Sequence, residues 1–380
     1  MNNSKRIIKV GVTGSAYNEK RNIIDLPFTN VRMGRHRDPI QWLDLAYFKL
    51  TGKIDTKLHS IHNDCGFNRF DVLHFFNKVS LSTTPWISTF ESFIPRTQSP
   101  SERLYRTILS PSCVRLVAMS EAACRMEWSR LERFPHLRED IMARIQVLHP
   151  AQRPGISSMA EKALTEGRIK LVMVGHLFFL KGGLETLRAM DRLLERGAPL
   201  HLTIVSQLQT QDYVTNSGEQ ERSEALRIIA KHPRNIKHVP TLPNSQVLDL
   251  FKGADIALLP TYNDTYGYSV LEGQAYGCPV ISTNVVALPE INNPDIGWMI
   301  DLPQNDRGEA EWRSTDGRKR ISSAIEEQLV VHLEQIIGLP DLIRRKGQAA
   351  LDRIRTHHSP SSRAAALEEL YSSATDKAPS

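Results

Sequence analysis

Apolar residues fall along this chain in short, β-branched runs separated by stretches where they recur at helical spacing, an alternation that predicts parallel sheets covered by helices. In the first half the runs 7–13, 71–76, 86–90, 114–119 and 145–148 read as strands, with helices over 41–51 and 120–134. The polar segment 149–158, which carries Pro and Gly, interrupts the pattern and reads as a linker. The alternation then restarts. Strands are expected at 169–175, 200–206, 236–239, 256–259 and 279–282, and helices at 183–196, 219–231, 245–251 and 268–276, where Gly277 makes a suitable stop. A last amphipathic helix, 361–371, lies far beyond the last strand and is expected to cross back to the first domain. The organisation predicted is 1–153, 154–358, and a returning helix with a loose tail over 359–380.

At 380 residues the chain is too long for one core, and 41% hydrophobic with 24% charged residues describes a soluble globular protein. The start, MNNSKRIIKVGVTG, reads as a first strand because its apolar positions are too few for a signal-peptide core. No apolar run approaches the length of a membrane span, so any membrane contact is expected to be peripheral. Cys65, Cys113, Cys124 and Cys278 are dispersed without CxxC spacing, which argues against a disulfide framework and points to a reducing cytoplasm. Charge is unevenly shared. Residues 1–150 hold 22 Lys and Arg against 14 Asp and Glu, whereas the remainder holds 26 against 28. The excess lacks the interleaved aromatics of a nucleic-acid surface. It is either solvated surface or an attraction to an anionic acceptor or to lipid headgroups at the inner face of a membrane.

The densest chemistry lies in LLPTYNDTYGYSVLEGQAYGCPVISTNVVALP, residues 258–289, where Asp264 and Glu272 flank a glycine turn. Tyr266-Gly267-Tyr268 can open a helix whose free N–H groups favour a phosphate. Helical side chains lean toward the N-terminus, so Glu272 can reach what sits at the helix start. A carboxylate repels a diphosphate but accepts hydrogen bonds from sugar or ribose hydroxyls, so the pair describes a nucleotide-sugar pocket. The plain alternative is two solvated acids on an ordinary turn. Lys181-Gly182-Gly183 forms a second cluster, since a lysine at a helix start opposes the macrodipole unless an anion lies between them. The HxxH pair His59 and His62, the adjacent His357 and His358, and Ser120 in MSEA lack the companions of a metal site or a hydrolase elbow.

The acid, seven residues, acid spacing of Asp264 and Glu272 resembles the motif of retaining glycosyltransferases of family 4, with Asp264 in place of the first glutamate. LVMVGHLFFLKGGLETLRAM, 171–190, is similar to the family's strand, glycine, arginine and Lys-Gly helix start, with His176 where arginine is usual. TTPWISTFESF, 83–93, resembles the strand ending in a histidine, which Glu91 replaces. Val12-Thr13-Gly14-Ser15 fits the loop after the first strand but lacks its multiple glycines. The resemblance implies a GT-B fold, two doubly wound Rossmann-like α/β domains facing a central cleft.

By the same resemblance the second domain binds a nucleoside diphosphate sugar and the first an acceptor, expected to be a glycan or lipid-linked glycan, with the donor's configuration retained. Lys181, His176 and the amides of Gly267 and Tyr268 would stabilise the departing diphosphate. Glu272 would hold the ribose, Asp264 the donor sugar, and Glu91 the acceptor or reacting sugar. Tyr266, Ser269 and Gly14 complete the expected donor contacts. Glu91 has an equal alternative as a loop acid paired with Arg96 or Arg103. No DxD motif is present, so neither a metal nor a resident cofactor is expected. A nucleotide-sugar epimerase and a non-catalytic binding protein are the rival readings.

Overall fold

The computed structural model describes residues 6–14, 16–162 and 167–376. The expected loose tail over 377–380, the first residues of the chain and Ser15 lie outside these.

The chain forms two compact units, one of residues 1–151 with 358–380 and the other of 152–357. In the first unit, β1 (Ile8–Val12), β2 (Val31–Arg35), β3 (Ile61–His62), β4 (Val72–Phe76), β5 (Val79–Ser80), β6 (Trp86–Phe90), β7 (Cys113–Ala118) and β8 (Ile145–Val147) follow in order. Six of them make one parallel sheet ordered β2-β1-β4-β6-β7-β8, and β3 pairs with β5 beside it. The central strand β6 is buried at every position because helices cover both faces. The edge strand β2, VRMGR, was not legible in the hydrophobic pattern. It pairs on one side only and keeps Arg32 and Arg35 in solvent.

The second unit repeats the plan with β9 (Ile169–Val174), β10 (Leu200–Val205), β11 (Ile236–Val239), β12 (Ile256–Leu259), β13 (Val280–Thr283) and β14 (Trp298–Ile300). Its parallel order is β11-β10-β9-β12-β13-β14. In both sheets the chain leaves its first strand, β1 or β9, toward one edge and later returns to that strand's other side. The order therefore reverses between β1 and β4, and between β9 and β12, where a crevice opens at the strands' carboxyl ends. Helices 135–142, 315–338 and 341–357 were not anticipated.

The helix Pro360–Asp376 closes one face of the first sheet, burying Ala364, Leu367 and Tyr371 with Ile8, Val10, Val72 and Val117. Arg363 is buried there and donates to the carbonyls of Asn22 (3.0 Å) and His149 (2.8 Å), which fixes the helix start. One turn further, Glu368 accepts from Thr29 Oγ1 (2.8 Å) and the Asn30 amide (3.0 Å). Tyr371 Oη lies 2.6 Å from His74 Nδ1, and His74 Nε2 lies 2.9 Å from Thr89 Oγ1, so the imidazole is held between two hydroxyls inside the core.

Burial, and then the charge of Arg363, lowers the His74 pKa to about 3. An unfolded histidine titrates near 6.5, so this contribution to stability is complete above 6.5 and declines as pH falls from there toward about 3. Buried Glu127, raised to about 8 by its own burial, has the opposite slope because the folded acid retains a proton that the unfolded acid loses. That slope is common to wild type and a His74 variant. His74→Gln, which keeps hydrogen-bonding capacity but does not titrate, is expected to lose about 2 kcal/mol less stability than wild type between pH 6.5 and 5. Urea unfolding across that range measures the difference, and parallel profiles would remove His74 from the acid response.

Candidate functional site

Two loops meet at the β9 and β12 crevice. The first follows β9 and opens the helix Gly183–Glu195 through Lys181-Gly182-Gly183. Gly182 adopts φ +76, and a Cβ there would lie 2.0 Å from the carbonyl oxygen of Pro260, so only glycine lets the two loops press together. A Cβ on Gly175 would stand 2.9 Å from Lys181 Cγ, which shows the lysine stem lying across the end of β9. Further bonds latch the loops. The Leu180 carbonyl accepts from the Tyr262 amide (2.9 Å) and Thr261 Oγ1 (3.0 Å). Tyr262 Oη and Ser322 Oγ each donate to Glu185 Oε1 at 2.7 Å, and burial raises the pKa of that carboxyl.

The second loop, after β12, carries Asp264 and opens the helix Tyr268–Ala275. Gly267 at φ +92 makes the turn, with Leu288 where a Cβ would go. Asp264 bridges the loops: Oδ2 accepts from Lys181 Nζ at 2.7 Å, while Oδ1 accepts from the amides of Gly267 (3.0 Å) and Tyr266 (3.2 Å). Both side chains of the ion pair are 18% exposed, so a solute can still reach them. Glu272 stands one turn into the helix and is nearly buried, Tyr266 is buried, and Tyr268 and Ser269 are half-buried. His176 is exposed on the loop after β9.

This geometry corrects the expectation that the Gly267 amide is directly available to a phosphate. Asp264 already holds that amide, because an ionised carboxylate is itself the anion that a helix start favours. In this contact Lys181 is set against Asp264.

In the first unit a hollow of about 510 Å³ opens at the β1 and β4 crevice, with Thr13, Gly14, Asn77, Lys78 and Arg96 on its wall. Gly14 does not offer a bare phosphate seat. The Glu19 carboxylate lies 1.9 Å from where its Cβ would be and accepts from the Ala16 amide at 2.9 Å, so an acid fills the turn. Glu91, 11% exposed at the end of β6, is not a free carboxylate but forms an ion pair with Arg96. Lys78 is likewise paired, to the buried Asp38 at 3.1 Å. The two histidines of the HxxH pair part company. His59 bonds Asp44 at 2.9 Å in solvent, while His62 is buried between Ser80 Oγ and His36 with its pKa lowered to about 4 by burial. Ser120 caps the helix Glu121–Arg130 by accepting from the Ala123 amide. Among the described residues no three His, Cys, Asp or Glu side chains could together hold a metal ion.

Sequence reasoning missed Glu185 and Tyr262, which lock the two loops. Glu185 lies four residues after Lys181 in a helix whose other buried side chains include Leu184, Leu187 and Met190, and an acid among apolar neighbours was the available signal.

Residues 157–311, a stretch containing both loops, match the family described as glycosyl transferases group 1. A D-inositol 3-phosphate glycosyltransferase of Corynebacterium jeikeium is 29% identical over 154 residues, 39% of this chain and 36% of the relative. The aligned stretch thus spans about a third of that protein's length. The crystal structure of a glycosyltransferase from Rickettsia africae superposes with a TM-score of 0.59 at 15% identity, covering 97% of this chain and 90% of the other. Anabaena HepE, solved in complex with UDP, gives 0.59 at 11% identity, covering 97% and 100%. These likenesses identify the fold as two Rossmann-like units of the GT-B glycosyltransferase type.

Gly182→Ala introduces both a left-handed non-glycine residue and a collision with Pro260. Expected is a loss of more than about 1 kcal/mol in the stability of the second unit. Thermal melts of wild type and variant measure it, and an unchanged melt would show that the loops can separate at no cost.

Proposed function

We propose that this protein is a glycosyltransferase that moves a sugar from a nucleoside diphosphate sugar to an acceptor hydroxyl on a glycan or lipid-linked glycan, with retention of configuration and without a metal ion. The observation that carries this reading is the convergence of Lys181, Asp264 and the Gly267 turn at the carboxyl ends of β9 and β12. The family match over residues 157–311 and the nucleotide held by a protein of the same fold support it.

Breaking the bond between the sugar and the diphosphate places negative charge on the departing phosphate oxygen. Lys181 is the cation at that position, and its stem is already fixed across Gly175, so little reorganisation accompanies the charge development. The incoming diphosphate competes for Lys181 and the Gly267 amide. Asp264 then turns from these partners to the hydroxyls of the donor sugar, and Glu272 accepts from the ribose. His176, exposed on the loop after β9, offers an imidazole where a guanidinium would present a planar two-pronged fork. The acceptor is assigned to the hollow of the first unit. There Glu91 acts through Arg96, which presents the paired guanidinium at the wall.

Lys181→Ala is expected to lower kcat by roughly 100-fold, the scale of removing one preorganised donor from a charge-developing atom. Steady-state transfer or slow donor hydrolysis reads this, and activity within about threefold of wild type would remove Lys181 from the chemistry.

Asp264→Ala frees both Lys181 and the Gly267 amide. Nucleoside diphosphate affinity should therefore hold or rise while sugar transfer collapses, whereas Glu272→Ala should weaken the nucleotide itself. Calorimetry with the nucleoside diphosphate alone separates the two, and equal losses of affinity would contradict the division of roles.

A further inference from the structure

The helix Pro39–Thr51, PIQWLDLAYFKLT, has well-formed ends and almost nothing to cover it. Asp38 accepts from the Ile40 amide at 3.1 Å, Pro39 opens the first turn, and Gly52 in the left-handed region closes the last through its amide to the Phe48 carbonyl at 2.8 Å. No residue of the helix is buried. Ile40 and Asp44, one turn apart, are half-buried and mark the inward side. At 3.6 residues per turn the outward side carries Trp42, Ala46 and Lys49, with Leu50 and Leu43 exposed along its flank. Trp42 is 58% exposed and Leu50 86%, and Leu45, Phe48 and Ile54 are exposed beside them. An amphipathic helix on a soluble surface turns its apolar side inward, and this one turns it outward.

The charges around it have one sign on the outside. Arg32, Arg35, Arg37, Lys49, Lys53 and Lys57 are all exposed, and none forms an ion pair among the described residues. The acids of the same segment face inward or are spent locally. Asp38 is bound to Lys78, Asp44 to His59, and Asp55 caps the helix Thr56–Ser60.

We infer that this helix is a membrane-surface element, lying in the plane of an anionic bilayer with Trp42, Leu43 and Leu50 among the acyl chains and the six cations against the headgroups. Apolar area and cationic surroundings are the two terms that hold an interfacial helix on anionic lipid. The helix is about 20 Å long, too short to cross the hydrocarbon layer, and no helix among the described residues is long and apolar enough to do so. A second copy of the chain is a poorer occupant, since it would bring six further cations against these six. The inference does not depend on the transfer chemistry.

Co-sedimentation of the full chain with vesicles of phosphatidylcholine alone, and of equal parts phosphatidylcholine and phosphatidylglycerol, tests it at low and high salt. Expected is binding to the anionic vesicles, weakened by salt, at least roughly tenfold stronger than to the neutral ones. The double variant Trp42→Glu, Leu50→Glu should lose roughly tenfold or more, and Lys49→Glu, Lys53→Glu should weaken binding and flatten its salt dependence. Brominated lipid should quench the tryptophan emission of wild type, and conservative Trp42→Phe should remove part of that quenching without disturbing the fold. No sedimentation of wild type with anionic vesicles at low salt would overturn the inference, as would equal binding by the Trp42, Leu50 variant. So would dimers of wild type that become monomers in that variant while lipid binding stays the same.

Discussion

The second unit depends on one carboxylate. Asp264 ties a lysine from the loop after β9 to the amides that begin the helix after β12. Its two oxygens thereby set the distance between the halves of the crevice. A pair of this kind, partly shielded from water, is stronger than a surface ion pair, and its loss leaves a charge without its partner. The loops beneath it are arranged so that the pair has little freedom. Gly182 lies against Pro260, the Lys181 stem crosses Gly175, and Tyr262 reaches back to the buried Glu185. Packing brings the two charges to their positions, and the charges then hold the helix start.

The same economy of placement governs the first unit, where the last helix of the chain supplies a wall of the core. Tyr371 meets His74 in the middle of the sheet. Arg363 is itself one cause of the depressed His74 pKa, so the contact that fixes the helix also helps keep the imidazole neutral. Burying both polar groups is tolerable only because each finds hydrogen-bond partners.

The central strands were legible because parallel strands covered on both faces read as continuous apolar runs, and β6, β9 and β12 lie where those runs lie. The edge strand β2 broke the rule: it displays arginines and a glycine because one of its sides meets solvent. The Lys181 and Asp264 loops were also visible, since their glycines sit where left-handed backbone is needed. Their contacts were not. That Asp264 would reach Gly267 and Lys181 simultaneously, and that Glu19 would fold over Gly14, are consequences of side-chain direction, whereas the pairing of Glu91 with Arg96 was among the alternatives expected from their nearness in sequence. Periodicity carries no record of such directions.

Each unit places an acid over the turn at its crevice, Glu19 over Gly14 and Asp264 over Gly267, but the two acids have different surroundings. Asp264 is bonded to a lysine, so when its carboxylate turns aside a cation and an amide are left for another anion to bind. Glu19 accepts from the Ala16 amide, and the nearby cations on that wall, Lys78 and Arg96, are bound to Asp38 and Glu91. An anion entering the first crevice would therefore meet a carboxylate with no freed cation in exchange. A polyhydroxylated ligand would instead meet acceptors and donors already arranged in pairs. Two crevices built on the same topology are in this way biased toward different partners by which of their acids has a lysine behind it.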